Sequence, residues 1–245
     1  MLDQVIVSAR PAPTELVPGR TAVIVVDMQN DFASTGGMFE RAGIDVSGIR
    51  AIVEPTRALL DVARRAGLLV CYLRMGFDPD LFNAGYPNSP TWTKHAPLDV
   101  GKEVQSPTGE PSRILVRDTW NTEIIEELAP QANDLVIDKH RYSGFYGTAL
   151  EARLREREIE SLVFVGATTS VCVESTLRDA MARDFHCLLV EDCVAEPIGA
   201  QFERTNHEAS LLTLEILFCS ITDSTSLIDA LSSVQAPAGA SFEPN

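Results

Sequence analysis

The sequence lacks the long apolar runs and leader segments that mark membrane or secreted proteins. No run approaches the roughly 18 apolar residues that a membrane-spanning helix needs. The opening residues, MLDQ, have neither the basic region nor the apolar core of a signal peptide. The five cysteines form no CxxC pair, which argues against a disulfide framework and a zinc knuckle. We therefore expect a cytoplasmic protein without a membrane partner.

Positive charge is scarce, and several ligand-binding signatures are absent. Lysine and arginine number 20 against 35 acidic residues, and the net charge of −15 would repel a nucleic acid. No GxGxxG follows a strand and no Walker A sequence occurs, which disfavours dinucleotide and nucleotide binding. HExxH and GxSxG are also missing, which disfavours zinc proteases and serine hydrolases with a nucleophile elbow. We expect no cofactor and no nucleic-acid partner.

What the sequence does contain is a regular alternation of apolar runs and helical patterns. The chain has 245 residues, 45% hydrophobic and 22% charged, which suits a single domain over residues 1–245. Short, continuous apolar runs predict strands buried on both faces. They are Thr21–Val26, Leu68–Leu73, Leu135–Ile137, Leu162–Val165 and Cys187–Val190. The run Ile216–Ile221 is either a sixth strand or the end of a helix.

Between these runs, apolar residues recur at the spacing of a helix. Apolar residues from Ile49 to Ala63 predict one continuous helix, with Gly67 as its C-cap. Pro55 either lies near the start of this helix or kinks it. Thr148 to Glu151 has the form of a capping box. Further helices are predicted over residues 172–183, 205–214 and 224–231. The alternation predicts an α/β protein, a three-layer α/β/α Rossmann-like fold with a six-stranded, mainly parallel sheet.

Residues 74–120 interrupt this rhythm. Six prolines and several glycines occur there with little periodicity, which predicts a long segment without regular structure. The segment also holds several aromatic residues, which disordered segments rarely contain. We interpret it as an active-site loop or lid rather than a disordered surface excursion. Residues 233–245 are predicted to form a flexible tail.

Three reactive side chains follow predicted strands. In a parallel sheet, ligands bind beyond the carboxyl ends of the strands, where Asp27, Lys139 and Cys172 are expected to converge. A helix N-terminus and the Lys139 ammonium would lower the pKa of the Cys172 thiol. Asp27 would accept its proton, and backbone N–H groups before Cys172 would hold an oxyanion. This arrangement predicts acyl transfer through a thioester.

Simpler interpretations of the same residues stay open at this point. A buried cysteine is usually a small hydrophobic residue, an aspartate at a strand end can cap a loop, and a lysine can be a surface charge. His140 lies near the predicted site, but we expect a peripheral role for it. If the thiol were inert, the chain would be a catalytically silent α/β binding module.

Three segments resemble the isochorismatase-like cysteine hydrolase family: VIVVDMQNDF, VIDKHRYSGF and VGATTSVCVESTLRDA. The likeness is strongest to the ureidoacrylate, biuret and triuret hydrolases of that family. Carried over residue by residue, it implies a triad of Asp27, Lys139 and Cys172. It also implies a non-proline cis peptide between Ala167 and Thr168, and an oxyanion hole from the N–H groups of Thr168 and Cys172. The resemblance further implies a homo-oligomer, either a dimer or a tetramer.

The resemblance implies a metal-independent cysteine amidohydrolase. Metal-binding members of the family carry an Asp-x-His element after the second strand, whereas this chain has RMGFDPD without histidine. Such an enzyme would cleave the terminal carbamoyl C–N bond of a small ureido compound and release ammonia through a thioester. The alternatives are an N-carbamoylsarcosine-type amidase or an isochorismatase. The candidate substrate contacts are Asn30, Phe77, Trp92, Lys94 and Tyr142.

Overall fold

The central feature of the fold is a six-stranded sheet in which every strand pair is parallel. The computed structural model describes residues 4–234, so nearly all of the predicted tail 233–245 lies outside the described residues. The strands are β3 (Thr21–Val26), β4 (Leu69–Met75), β7 (Leu135–Lys139), β8 (Ser161–Ala167), β9 (His186–Ala195) and β10 (Ser220–Thr222). Their spatial order is β10-β9-β8-β3-β4-β7. The predicted fold class is confirmed.

Helices cover both faces of this sheet and create two apolar cores. On one face, α4 (Val53–Arg65) and α9 (Ser224–Ser232) pack side by side and bury Leu59 and Leu227. The other face is covered by α6 (Leu150–Arg155), α7 (Glu174–Met181) and α8 (Asn206–Leu217). Strand β3 lies between the two cores with all six residues buried, which explains its uninterrupted apolar sequence.

Two of the helix predictions need correction. Residues 49–63 form two helices, α3 (Ser47–Ala51) and α4, joined at Ile52. Pro55 is the third residue of α4, where its missing N–H costs no helical hydrogen bond, and Gly67 follows the helix with a φ of 84°. The predicted capping box at Thr148 is absent, because α6 begins at Leu150 without a side-chain cap. A capping box does form two helices later, where Thr205 and Glu208 begin α8.

The run 216–221 serves both of the roles considered for it. Leu217 ends α8, and the chain then enters β10 at Ser220. The nucleophile helix also differs from the prediction, because residues 169–173 form a π-helical turn before α7 begins at Glu174.

The prediction that residues 74–120 lack regular structure is wrong. The segment contains α5 (Pro90–His95) and an antiparallel hairpin of β5 (Glu103–Gln105) and β6 (Pro111–Arg113). Its prolines take part in this structure, since Pro90 occupies the first turn of α5 behind the N-cap Ser89. Buried Asp31 ties the segment to the body of the protein by accepting a hydrogen bond from the N–H of Leu115 at 2.7 Å.

Smaller elements complete the described part of the chain. A hairpin of β1 (Val5–Val7) and β2 (Thr14–Leu16) precedes the sheet, and two short helices, α1 (Asn30–Ala33) and α2 (Met38–Arg41), follow β3. Within residues 4–234, we find no helix with the length and apolar character needed to cross a membrane.

Candidate active site

A buried ion pair lies beyond the carboxyl ends of the strands. Asp27 directly follows β3, and Lys139 is the last residue of β7, two strands away. The Lys139 Nζ donates to Asp27 Oδ2 at 2.8 Å, and it also contacts the carbonyl oxygen of Arg141 at 3.3 Å. The Asp27 backbone has a φ of 49°, a strained conformation for a residue other than glycine, and its N–H donates to the Leu73 carbonyl.

Cys172 reaches the same place from β8. It is the fourth residue of the π-helical turn 169–173, a rare geometry that often marks functional sites. The Thr168 carbonyl accepts from the N–H groups of both Val171 and Val173 and so fixes the turn. The peptide between Ala167 and Thr168 is cis, which confirms that prediction. Within residues 4–234, the Thr168 N–H has no hydrogen-bond acceptor.

The three side chains strongly perturb one another. Burial raises the pKa of Asp27, although the Lys139 charge and the hydrogen bond from its ammonium oppose that effect. Burial alone would lower the pKa of Lys139, but the negative charge of Asp27 and its hydrogen bond with the ammonium outweigh it and raise that pKa. Asp27 and Lys139 thus form a charged pair in which the carboxylate is a stronger base than usual.

The prediction of a lowered pKa for the Cys172 thiol is wrong. Burial raises the pKa of Cys172, and the Asp27 charge raises it further, more than Lys139 can offset. The cation and the helix N-terminus favour the thiolate, but the burial of a thiolate in an enclosed site costs more than they offset. The resting group is therefore the neutral thiol, and attack requires proton transfer to a neighbouring base.

Asp27 is positioned to be that base. Its Oδ2 is held by Lys139, whereas its Oδ1 is buried and has no partner within the described part of the chain. A buried carboxylate oxygen without a donor carries a desolvation cost that proton capture relieves. The site thus combines a neutral thiol, a strong base and an ammonium that stabilises the charge on that base.

A small cavity of about 250 Å³ opens onto this group. Asp27, Thr168 and Cys172 form its reactive end, and Lys94, His95 and Tyr142 contribute further polar groups. The remaining wall is mostly apolar and comprises Phe32, Met38, Phe39, Met75, Leu98, Leu115, Ala167, Val171 and Ile198. Such a cavity suits one small, partly polar molecule.

The predicted substrate contacts divide into two groups. Lys94 and Tyr142 line the cavity, whereas Asn30, Phe77 and Trp92 do not. The Asn30 amide instead donates to the Trp120 carbonyl at 2.8 Å, beside a separate open groove of about 630 Å³. Phe77 is fully buried behind the cavity wall, and partly buried Trp92 packs against the adjoining core.

Sequence reasoning missed two residues that shape the site. The position of His95 in the chain gives no link to the strand ends, yet α5 brings it to the cavity wall. Gln29 is fully buried, and its side-chain amide accepts from the Met75 N–H while donating to the carbonyls of Met75 and Thr122. The available signal was Gln29 itself, a polar residue in the segment DMQNDF that directly follows an apolar strand.

Two other predictions concern metal binding and His140. Within residues 4–234, no three histidine, cysteine, aspartate or glutamate side chains cluster as a metal site would require. His140 is not among the cavity-lining residues, and its ring packs edge-on against Tyr146 at 6.0 Å between ring centroids.

Comparison with known proteins places this geometry in a family. The isochorismatase domain model matches residues 21–226. The ureidoacrylate amidohydrolase RutB of Agrobacterium fabrum is 43% identical over 210 residues, covering 86% of this chain and 89% of that protein. Its counterpart in Caulobacter segnis is 40% identical over 214 residues, covering 87% of each.

Solved structures agree with this assignment. A cysteine hydrolase from Pseudomonas syringae pv. phaseolicola aligns with a TM-score of 0.73 and 30% identity, covering 89% of this chain and 95% of that one. An N-carbamoylsarcosine amidase from Thermoplasma acidophilum aligns with a TM-score of 0.61 and 28% identity, covering 84% and 96% respectively. With a domain match that spans most of its length and relatives above 40% identity, the chain belongs to the isochorismatase domain family.

Proposed function

We propose that this protein is a metal-independent cysteine amidohydrolase for small ureido compounds, with ureidoacrylate as the first candidate. The observation that carries the proposal is the buried Lys139–Asp27 pair beside Cys172 at the end of a small cavity. The similarity to RutB proteins supports the substrate class. We assign the function to one domain over residues 1–245.

In the first half of the reaction, Asp27 takes the proton of the Cys172 thiol as the sulfur attacks the carbamoyl carbon. Lys139 stabilises Asp27 before and after the transfer. The N–H groups of Thr168 and Cys172 hold the resulting oxyanion, and one such donor typically lowers the barrier by about 3–4 kcal/mol. Asp27 then returns the proton to the departing nitrogen, the C–N bond breaks, and a thioester remains.

Water completes the cycle. Asp27 removes a proton from a water molecule, whose oxygen attacks the thioester carbon. The C–S bond breaks, and the proton returns from Asp27 to the Cys172 sulfur. The same carboxyl group therefore acts four times, twice as base and twice as acid, which suits a group whose pKa is raised by burial.

The cavity wall supports an anionic substrate. The Lys94 ammonium at the wall offers a partner for a carboxylate such as that of ureidoacrylate, and the Tyr142 hydroxyl offers a hydrogen bond to the ureido group. An N-carbamoylsarcosine-type activity is the second candidate, because a structural neighbour bears that name. Biuret and triuret are further ureido compounds of similar or smaller size that the same cavity would admit.

We further propose a cytoplasmic homo-oligomer, a dimer or a tetramer. Leu212, Ile216 and Leu217 of α8 are each more than half exposed, an apolar surface that a second copy would cover. The described cysteines are all unpaired thiols, as expected in a reducing compartment. Size measurement by light scattering in solution tests the assembly.

The test of the activity is ammonia release from ureidoacrylate, biuret, triuret, N-carbamoylsarcosine and nicotinamide. We expect turnover of a ureido compound that persists with a chelator and disappears in Cys172→Ala. Loss of activity with the chelator would contradict metal independence. If all substrates fail and the Cys172 thiol is also unreactive toward iodoacetamide at every pH up to 10, the silent binding module is the better description.

A further inference from the structure

His95 is a buried polar residue of the cavity that the mechanism above does not use. It is the last residue of α5, and its side chain borders the cavity while only 6% of the residue is exposed. Its ring lies between two aromatic neighbours, edge-on to Phe77 at 5.4 Å and tilted against Tyr142 at 5.7 Å. These contacts hold the imidazole in one orientation.

The hydrogen bond of His95 identifies its tautomer. Nδ1 lies 2.8 Å from the backbone carbonyl oxygen of Thr91. A carbonyl oxygen can only accept, so Nδ1 must carry the hydrogen. Burial lowers the pKa of His95, and the nearby charges of Arg141 and Lys139 lower it further despite the Thr91 bond, so the ring is neutral at pH 7. In a neutral ring with Nδ1 protonated, Nε2 is a hydrogen-bond acceptor.

That acceptor is available to a ligand. Within residues 4–234, Nε2 has no hydrogen-bond donor, and it is not among the fully enclosed polar atoms that lack a partner. An unpartnered acceptor on a buried ring at a cavity wall favours a molecule that brings its own N–H or O–H. The Lys94 ammonium at the same wall is only a donor, so His95 supplies the complementary function.

A ureido group has the matching donor. Its carbonyl carbon bears two nitrogens, whereas the carbon of a simple amide bears one. During thiol attack, the oxygen occupies the oxyanion site and the departing nitrogen turns toward Asp27. We infer that His95 Nε2 accepts a hydrogen bond from the N–H of the other nitrogen, the one that stays on the reacting carbon, and thereby selects ureido compounds over simple amides. This inference rests on the proposed function.

The experiment measures binding by calorimetry to the Cys172→Ala protein, which cannot turn the ligand over. The ligands are N-carbamoylglycine, its analogue methylated on the internal nitrogen (N-carbamoylsarcosine), and its analogue methylated on the terminal nitrogen. Each ligand is titrated into Cys172→Ala alone and into that protein with His95→Phe, His95→Gln or His186→Gln added. Phenylalanine keeps the ring between Phe77 and Tyr142 but removes the acceptor, and glutamine restores a polar group near Nε2.

We expect methylation of the internal nitrogen, the one that stays on the reacting carbon, to weaken binding by about 10- to 100-fold when His95 is present, because it removes the only N–H of that nitrogen. With His95→Phe, that same methylation should weaken binding by less than about threefold, because no acceptor is left to lose its partner. His95→Gln should recover part of the discrimination. His186, exposed at the opposite end of the sheet, is the matched control, and His186→Gln should change none of the three affinities.

If methylation weakens binding equally with and without His95, the inference is overturned, because the loss of affinity is then a steric effect of the methyl group. Failure of N-carbamoylglycine to bind would overturn it as well, because the cavity would then not recognise a small ureido acid. Both results differ from failure of the proposed function, in which the unmodified enzyme releases no ammonia from any ureido compound. If the enzyme releases ammonia but replacement of His95 leaves the effect of methylation on affinity unchanged, the inference is wrong and the proposed function stands.

Discussion

Lys139 and Asp27 are separated by 112 positions in the chain, yet their side chains meet at 2.8 Å in a place closed to solvent. The exposed fractions of the two side chains are 0% and 2%. A charge pair in such a place is stable only because each partner compensates the burial of the other. The same pair gives the site its base, so stability and chemistry depend on one contact.

The first prediction concerns removal of the cation. Lys139→Met should lower the free energy of unfolding by about 3–5 kcal/mol, because it leaves the Asp27 charge buried and unpaired. Adding Asp27→Asn should restore part of the loss by removing that charge. Urea denaturation followed by circular dichroism measures both changes.

The exposed pair Lys102–Asp99, at a similar N–O distance of 2.8 Å, provides the control. Because water screens it, Lys102→Met should cost no more than about 1 kcal/mol. Equal losses for the two lysine variants would contradict the role given to burial.

The second prediction separates chemistry from folding at the nucleophile. Cys172→Ala should abolish ammonia release, because no thioester can form, while its urea midpoint stays close to that of the unmodified protein. Cys193→Ala is the comparison, since Cys193 is a fully buried core thiol outside the cavity. That variant should lose stability, by about 1 kcal/mol, and keep its turnover. Substantial activity in Cys172→Ala would remove Cys172 from the mechanism.

The third prediction follows from the raised pKa of the Cys172 thiol. Burial and the Asp27 charge both raise that pKa, so thiolate is scarce at neutral pH and alkylation by iodoacetamide should accelerate as the pH rises. Asp27→Asn removes one of the two causes, which lowers the pKa and should speed alkylation at pH 7. Mass spectrometry of the Cys172 peptide measures the rate. Slower alkylation in Asp27→Asn would contradict this charge effect on the thiol pKa and would show that Asp27 acts as a base toward iodoacetamide as it does toward the substrate.

The fourth prediction is a pH dependence of stability at Asp31. Burial raises the pKa of Asp31 to about 6, above the ordinary 3.8, despite hydrogen bonds from Asn121, Leu115 and Met38. An acid with a raised folded pKa loses stability as pH rises through that interval. The free energy of unfolding, relative to Asp31→Asn, should therefore fall by about 3 kcal/mol between pH 4 and pH 7.

Asp45 is the control for this measurement, because hydrogen bonds from Ser47 lower its pKa and reverse the sign. Relative to Asp45→Asn, the stability should rise slightly with pH. A constant difference between the unmodified protein and Asp31→Asn would mean that Asp31 titrates alike in the folded and unfolded chains.

The fifth prediction concerns Gln29, whose amide joins the chain after β3 to the end of β4. Gln29→Met keeps the size of the side chain but leaves the N–H of Met75 and two carbonyl groups without partners. We expect a loss of about 3 kcal/mol or more in the free energy of unfolding. Gln131→Met, at an exposed position, should change stability by less than about 0.5 kcal/mol. If Gln29→Met leaves the free energy of unfolding unchanged, water replaces the hydrogen bonds of the amide.

The sheet and the contact between Asp27 and Lys139 were accessible from sequence because both depend on local signals. Strands buried on both faces leave uninterrupted apolar runs, and the polar residues that follow those runs must lie at one sheet edge. Asp27, Lys139 and Cys172 each stand at such a point. The family resemblance added the cis peptide, which no local pattern specifies.

Other features depend on contacts between distant segments and left no local trace. The irregular composition of residues 74–120 concealed α5 and a hairpin, whose order comes partly from Asp31, far away in the chain. The direction of the Cys172 pKa shift depends on how deeply the site is enclosed, which residue order does not reveal. His95 reaches the cavity only because α5 folds back over the strand ends.

The position of Lys139 also bears on how the edge of the sheet is protected. Within residues 4–234, strand β7 is an outer strand that pairs only with β4, with Lys139 opposite Met75. A slip by one residue would turn the lysine to the other face, and a slip by two would move it about 7 Å from the carboxylate. The buried Asp27–Lys139 pair therefore acts as a register lock on an outer strand, where mispairing with another chain is the hazard.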